Sequence, residues 1–245
     1  ASSHPIYAFP ACAKGKNTLG IGASHSGNTE ERLSSFNIAR QEDCSLLVLC
    51  KGGRVQAAAT VKGIPLWTFA HIGQPRTAIP YSFGLLLALF CRLGLAKIDE
   101  AEIADAIAVM SNARTKLTAS AGLAENPAKR IAGQLLNRNV LVMAAGELEV
   151  VARRWKTQIN ELAKAFATYE PIPEADHNTL AGIFNPESVL EREYSVFIHA
   201  SQDDPRNQLR LAKTHEIMML EGLGTDIFHA RSEERRVGKE CRSRR

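Results

Sequence analysis

Eight residues, Ser24-His25-Ser26-Gly27-Asn28-Thr29-Glu30-Glu31, concentrate the chemistry of this 245-residue chain. Three hydroxyls (Ser24, Ser26, Thr29) and the Asn28 amide fall within six residues. Hydroxyls, amides and free backbone N–H groups are all donors, so together they suit a phosphate monoester held without a lysine or a metal. Gly27 is expected to let the backbone approach such a ligand closely. An ordinary helix start accounts for the same residues, with Asn28 as N-cap and Glu31 at the capping-box position. Spacing alone leaves both open.

Three further side chains are candidates. Arg76 stands in Gly73-Gln74-Pro75-Arg76-Thr77, a loop from which it points either over the same site or into solvent. Glu161 falls on a helix expected over 151–166, nearly opposite a stripe of Val151, Trp155, Ile159, Leu162 and Phe166. By pattern it is a surface carboxylate paired with Lys164. His177 stands in a polar loop, Pro173-Glu174-Ala175-Asp176-His177-Asn178. The seven histidines form no HxxxH or HExxH pattern and do not group with cysteines, which argues against a metal site.

Periodicity supplies the elements that position these groups. Apolar runs at 18–23, 45–50 and 64–69 read as buried strands, and 6–9 as a further short one. Helices are expected over 30–40, where Leu33, Phe36 and Ile38–Ala39 recur at roughly helical spacing, and over 55–61. Residues 51–54, Lys51-Gly52-Gly53-Arg54, read as the turn between. This βαβαβ rhythm predicts a parallel sheet, whose ligands sit outside the carboxyl ends of its strands. An apolar helix follows over 79–95. A second helical segment begins at Asp99, with Glu102 closing a capping box and Ile103, Ile107, Met110 and Leu117 as its stripe, and ends before Glu125-Asn126-Pro127. A second α/β rhythm then runs through a helix at 127–137, a strand at 139–144, the 151–166 helix, a strand at 194–200 and a helix at 205–222.

Composition excludes several classes. The longest apolar run, 84–91, is too short to span a membrane. The net charge of +4 lies wholly in residues 231–245, which hold seven basic and three acidic residues. Without them the chain balances 23 basic against 23 acidic side chains, and no basic patch argues for nucleic acid. That tail has no apolar periodicity and reads as a non-native, adapter-like extension. Five cysteines without a CxxC pair, and no signal peptide, fit reduced thiols in a cytoplasmic protein. The chain begins at Ala1 and soon enters what reads as the middle of a domain, so a fragment cut at both ends is expected.

Taken in order, SHSGNTEE after a strand, QPR before an apolar helix, WKTQINELAK on a helix and PEADHN in the loop beyond it form a specific set. The set resembles the bifunctional phosphoglucose/phosphomannose isomerases, a family built from two sugar isomerase (SIS) domains. The similarity is clear from about residue 18 to about 182 and looser to 230. It implies an α/β fold of two doubly wound, parallel-sheet, flavodoxin-like SIS domains: 1–97, incomplete, and 127–230, joined by a helical linker at 98–126. It implies that Ser24, Ser26 and Thr29, with Gly27 and Asn28 in the same turn, bind the phosphate of a sugar phosphate. Arg76 matches the active-site arginine, Glu161 the catalytic base, and His177 the histidine that helps to open the sugar ring. In relatives this histidine reaches the neighbouring subunit's site, so a homodimer is implied, with no cofactor. The sequence departs from the family at His25, where an aromatic residue is usual, and at Asp176 and Leu162, where asparagine is usual. The family's glycine-rich N-terminal turn and its last strand and helix are not matched. Competing readings are a phosphosugar-binding SIS module without catalysis, an aminotransferring or etherase relative, and an α/β protein in which the hydroxyl cluster only caps a helix.

Overall fold

The computed structural model describes Tyr7 and residues 10–230. The strand expected at 6–9 and the basic tail lie outside the described residues, apart from Tyr7. The chain divides into two compact units, with the boundary between Ala106 and Ile107.

Unit 1 contains β1 (Leu19–Ser24), α1 (Glu30–Gln41), β2 (Ser45–Cys50), α2 (Gly53–Val61), β3 (Leu66–Thr68) and α3 (Ile79–Arg92). Its three strands run parallel in the order β1-β2-β3, with Ser24, Cys50 and Thr68 in register at the carboxyl edge. The run SLLVLC of β2 has no polar residue after Ser45 because both its faces are covered. Val48 and Cys50 pack with Phe36 of α1 and with Val55 and Ala59 of α2. Leu47 and Leu49 pack with Leu89 of α3, ringed by Ile21, Ala23 and Trp67. Each large side chain so buried contributes roughly 1.5–3 kcal/mol relative to exposure.

The helix α4 (Glu100–Lys116) carries the unit boundary. Its start is a capping box: the Asp99 N–H donates to Glu102 Oε2 at 2.9 Å, and the Ala101 N–H donates to Asp99 Oδ1 at 3.1 Å. The stripe expected along it joins no core, since Ile103, Ile107, Met110 and Leu117 are all exposed.

Unit 2 contains α5 (Pro127–Leu135), β4 (Asn139–Ala145), α6 (Glu149–Gln158), β5 (Ala167–Ile172), α7 (Glu174–His177), α8 (Glu187–Leu190), β6 (Glu193–Ala200), α9 (Pro205–Leu220) and β7 (Gly224–Ala230). Its strands are parallel in the order β5-β4-β6-β7. β4 alternates between two cores. Leu141, Met143 and Ala145 pack with Leu211 and Met218 of α9, while Val140, Val142 and Ala144 pack against Ala152 and Trp155 of α6. β5 and β7 were not expected from the sequence. Both are edge strands, and their polar or irregular sequences, with Glu170 and Pro171 in one and Gly224 and Asp226 in the other, suit a position paired on one side only. The helix expected over 151–166 is also corrected. It is α-helical to Gln158, widens into a π-turn over Ile159–Ala163 and stops at Lys164 in the left-handed region, φ 56°. Leu162 and Phe166 therefore leave the stripe and are exposed.

Candidate functional site

All three strands of unit 1 end at one level, so the loops after Ser24, Cys50 and Thr68 leave the sheet on the same side. The first loop is the hydroxyl turn. Thr29, not Asn28, flanks α1 at its start (φ −66°, ψ 133°), and no side chain caps the helix. Asn28 is turned elsewhere: its Oδ1 accepts from the Arg54 N–H at 2.9 Å, which fastens the turn to the start of α2. The capping-box expectation for Asn28 and Glu31 therefore fails. The amide groups of the first turn keep their donors and the positive end of the helix dipole.

The serine hydroxyls hold the turn in shape. Ser24 Oγ accepts from the Gly27 N–H at 3.1 Å, and Ser26 Oγ accepts from the Asn28 N–H at 3.2 Å. An oxygen that accepts in this way still has its own O–H to donate. Ser24 Oγ and Thr29 Oγ1 stand 3.5 Å apart, at the outer limit of hydrogen bonding, a separation at which two donors can converge on one anionic oxygen. Ser26, Asn28 and Thr29 are exposed and Ser24 is half-buried.

Gly27 has a packing reason as well. It is buried, at φ 67°, and the space where a Cβ would go is taken by the Gly52 carbonyl. Gly53, at φ 83°, faces Ser26 O and Asn28 Oδ1 in return. The two glycine turns interlock, tied further by the Val55 N–H to Gly27 O at 2.9 Å and the Lys51 N–H to His25 O at 3.1 Å. This brings Lys51 and Arg54 beside the hydroxyl turn. In the sequence, the KGGR run directly after a buried strand signals only a turn and does not mark these two side chains.

The third loop carries Arg76, half-buried in a 3₁₀ turn over Pro75–Thr77. Phe69, just after β3, stacks on Tyr81 of α3 at 5.1 Å and lies 6.0 Å from the His25 ring. The pKa of His25 is lowered from its usual 6.5, first by burial and then by the neighbouring His71 and Lys51. So the turn and Arg76 share the carboxyl edge of one sheet.

The other two candidates lie in unit 2. Glu161 sits in the π-turn, exposed, and its backbone carbonyl accepts from Lys164 Nζ at 2.7 Å. The expected partnership with Lys164 thus reaches the Glu161 main chain. His177 ends the short helix α7 rather than standing in a loop, and is exposed. Its neighbour Asp176 is anchored: Oδ1 accepts from Thr214 Oγ1 at 2.6 Å and Oδ2 pairs with Arg210 at 3.0 Å. Glu161 precedes the amino end of β5 and His177 follows its carboxyl end. They therefore lie beyond opposite ends of one six-residue strand. Among the described residues no three His, Cys, Asp or Glu side chains gather as a metal would require, and no helix is long and apolar enough to cross a membrane.

Known proteins carry the same plan. Residues 124–239 match the family described as the bacterial phospho-glucose isomerase C-terminal SIS domain, a match that runs past Ala230 into the basic tail. A bifunctional phosphoglucose/phosphomannose isomerase of Caldicellulosiruptor bescii is 33% identical over 213 residues, covering 86% of this chain and 62% of its own length. One from Aquifex aeolicus is 30% identical over 195 residues, 80% of this chain and 57% of its own length. This chain thus spans about three fifths of these relatives. The crystal structure of glucosamine-6-phosphate deaminase from Thermotoga maritima superposes with a TM-score of 0.62 at 14% identity, covering 90% of this chain and 61% of that one, a likeness of fold. With parallel sheets covered by helices, and with these relatives, the chain is a SIS-domain protein related to the phosphosugar isomerases.

Proposed function

We propose that this chain belongs to a bifunctional phosphoglucose/phosphomannose isomerase of two SIS domains, 1–97 and 127–230, joined by a helical linker over 98–126. It interconverts glucose 6-phosphate, and mannose 6-phosphate, with fructose 6-phosphate. The observation that carries this is the hydroxyl turn: an uncapped helix start with Ser24, Ser26 and Thr29 around it, at the carboxyl edge of a parallel sheet. Two relatives named for that activity, 33% and 30% identical to this chain, support it.

In this scheme the turn grips the phosphate and so positions carbons 1 and 2 of the sugar. His177 delivers a proton to the ring oxygen as its bond to C1 breaks and the anomeric hydroxyl gives up its own proton to solvent, which opens the cyclic form. Glu161 takes the proton from C2 and returns it to C1, through a cis-enediolate. Arg76 stabilises the negative oxygen that develops between those steps. No metal or redox cofactor enters the chemistry. His177 serves the site of a second subunit, which the separation of Glu161 and His177 along β5 supports.

A phosphosugar-binding SIS module without catalysis is the second reading, favoured by the fact that the hydroxyl turn is complete within unit 1. Proton NMR of glucose 6-phosphate and mannose 6-phosphate in D2O separates the two. Loss of the C2 proton signal with growth of fructose 6-phosphate is expected. Saturable binding without exchange would leave the binding module.

A further inference from the structure

We propose that His71 is a positioning residue: with His25 and Thr77 it ties the turn that carries Arg76 to the turn that grips phosphate. A chain of hydrogen bonds carries this. His25 Nε2 lies 3.0 Å from His71 Nδ1, and His71 Nε2 lies 3.1 Å from Thr77 Oγ1. The Thr77 hydroxyl donates to the Gln74 carbonyl at 2.8 Å. A hydroxyl has one proton, so toward His71 the Thr77 oxygen accepts, and His71 Nε2 bears the hydrogen. Neutral His71 then offers the bare Nδ1 to an N–H on His25 Nε2. Every donor and acceptor in the chain has one consistent direction, from the residue between Ser24 and Ser26 to the residue after Arg76.

The backbone is built around the same contact. Gly73 adopts φ 142°, and a Cβ there would lie 3.3 Å from both His71 Cε1 and Thr77 Oγ1. A side chain at 73 would press on the His71–Thr77 bond. The Tyr81 ring meets His71 edge-on at 5.6 Å and the His25 ring meets it at 5.1 Å, which holds the imidazole in place from two elements. No group in the scheme for isomerisation uses His71. The tie rests on that scheme only for what it positions: Arg76 must face the reacting oxygens while the phosphate stays in the 24–29 turn.

The test uses the full chain with His71→Gln, His71→Asn, Thr77→Val and the His71→Gln/Thr77→Val double variant. Gln retains a donor toward Thr77, Asn retains an acceptor toward His25, and Val keeps the shape of Thr77 without its hydroxyl. The Thr77 and Ala78 amides, which bond to Gln74 O and Pro75 O at 3.0 Å each, report the turn through hydrogen exchange. Their exchange is expected to rise roughly tenfold in Thr77→Val and His71→Asn, which lose the bond to Thr77, and less in His71→Gln, with the double variant no worse than Thr77→Val. The kcat for glucose 6-phosphate is expected to fall roughly ten- to a hundredfold, while the Kd for inorganic phosphate stays within about threefold. Unchanged exchange in all variants would overturn the tie. So would faster exchange with an unaltered kcat, or a phosphate affinity falling in parallel with kcat, which would make His71 part of the anion grip. Faster exchange in a chain whose wild type shows no turnover would leave the tie standing and remove the isomerase scheme instead.

Discussion

Replacing Gly27 by alanine would drive a methyl group into the Gly52 carbonyl at a backbone angle, φ 67°, that L side chains rarely adopt. Strain and overlap together are expected to cost roughly 2–4 kcal/mol, seen as a lower urea midpoint for unit 1. The exposed Ser26 is different: alanine there is expected to weaken phosphate binding with little loss of stability. His25 makes a prediction about pH. Its folded-state pKa lies below the usual 6.5, so below pH 6.5 the unfolded chain takes a proton that the folded chain resists. The stability this site contributes is complete above pH 6.5 and is lost as the pH falls toward the folded value. Urea midpoints measured from pH 7.5 down to 5.5 should therefore fall less steeply for His25→Asn than for the wild type. Equal slopes would remove His25 as the cause. At Glu161 the isomerase scheme requires that Glu161→Gln abolish C2 proton exchange while sugar phosphate affinity stays within a few-fold. Wild-type exchange in that variant would take the base away from Glu161.

At the scale of elements, Asp176 fixes helix α7, and with it His177, onto helix α9. Its carboxylate is largely buried and meets the buried Thr214 hydroxyl and the half-exposed Arg210. Asp176→Ala is expected to cost unit 2 roughly 2 kcal/mol, because the hydroxyl is left without its charged acceptor. Asp176→Asn keeps an acceptor for Thr214 and is expected to cost roughly half as much; urea titration followed by Trp155 fluorescence measures both. In the sequence Asp176 stands out only as a departure from the asparagine usual in the family that the chain resembles, since a contact spanning 38 residues leaves no local trace. Central strands were legible for the opposite reason. β2 and β4 are buried on both faces, so their apolar runs are unbroken, whereas the edge strands β5 and β7 tolerate proline, glycine and charge and do not stand out. The hydroxyl turn was legible by composition, but its anchoring was not. Asn28 reaches Arg54, Gly27 fits Gly52 and His25 reaches His71, all through pairs from different loops. The stripe 151–166 misled because apolar spacing continues past Gln158 while the backbone widens into a π-turn.

At the scale of the whole molecule, one strand separates the proposed base from the proposed ring-opening histidine. Glu161 stands before β5 and His177 after it, beyond opposite ends of one strand. A symmetric homodimer accommodates this if each site takes Glu161 from one subunit and His177 from its partner. The arrangement has a consequence that a site within one chain would not have. Chains carrying Glu161→Gln and chains carrying His177→Asn are each expected to be impaired roughly 10²-fold or more in isomerisation. When they are unfolded together and refolded at equal amounts, half of the dimers are mixed. Each mixed dimer then has one site with both substitutions and one site with neither. Activity is expected to return to about a quarter of the wild-type value by that statistical mixing of a two-fold dimer. Refolding each variant alone supplies the baseline. If the mixture stays at that baseline while its dimers form normally, Glu161 and His177 do not meet across a subunit interface. An impaired His177→Asn baseline without recovery would place both residues in the site of one chain, and an unimpaired one would remove His177 from ring opening.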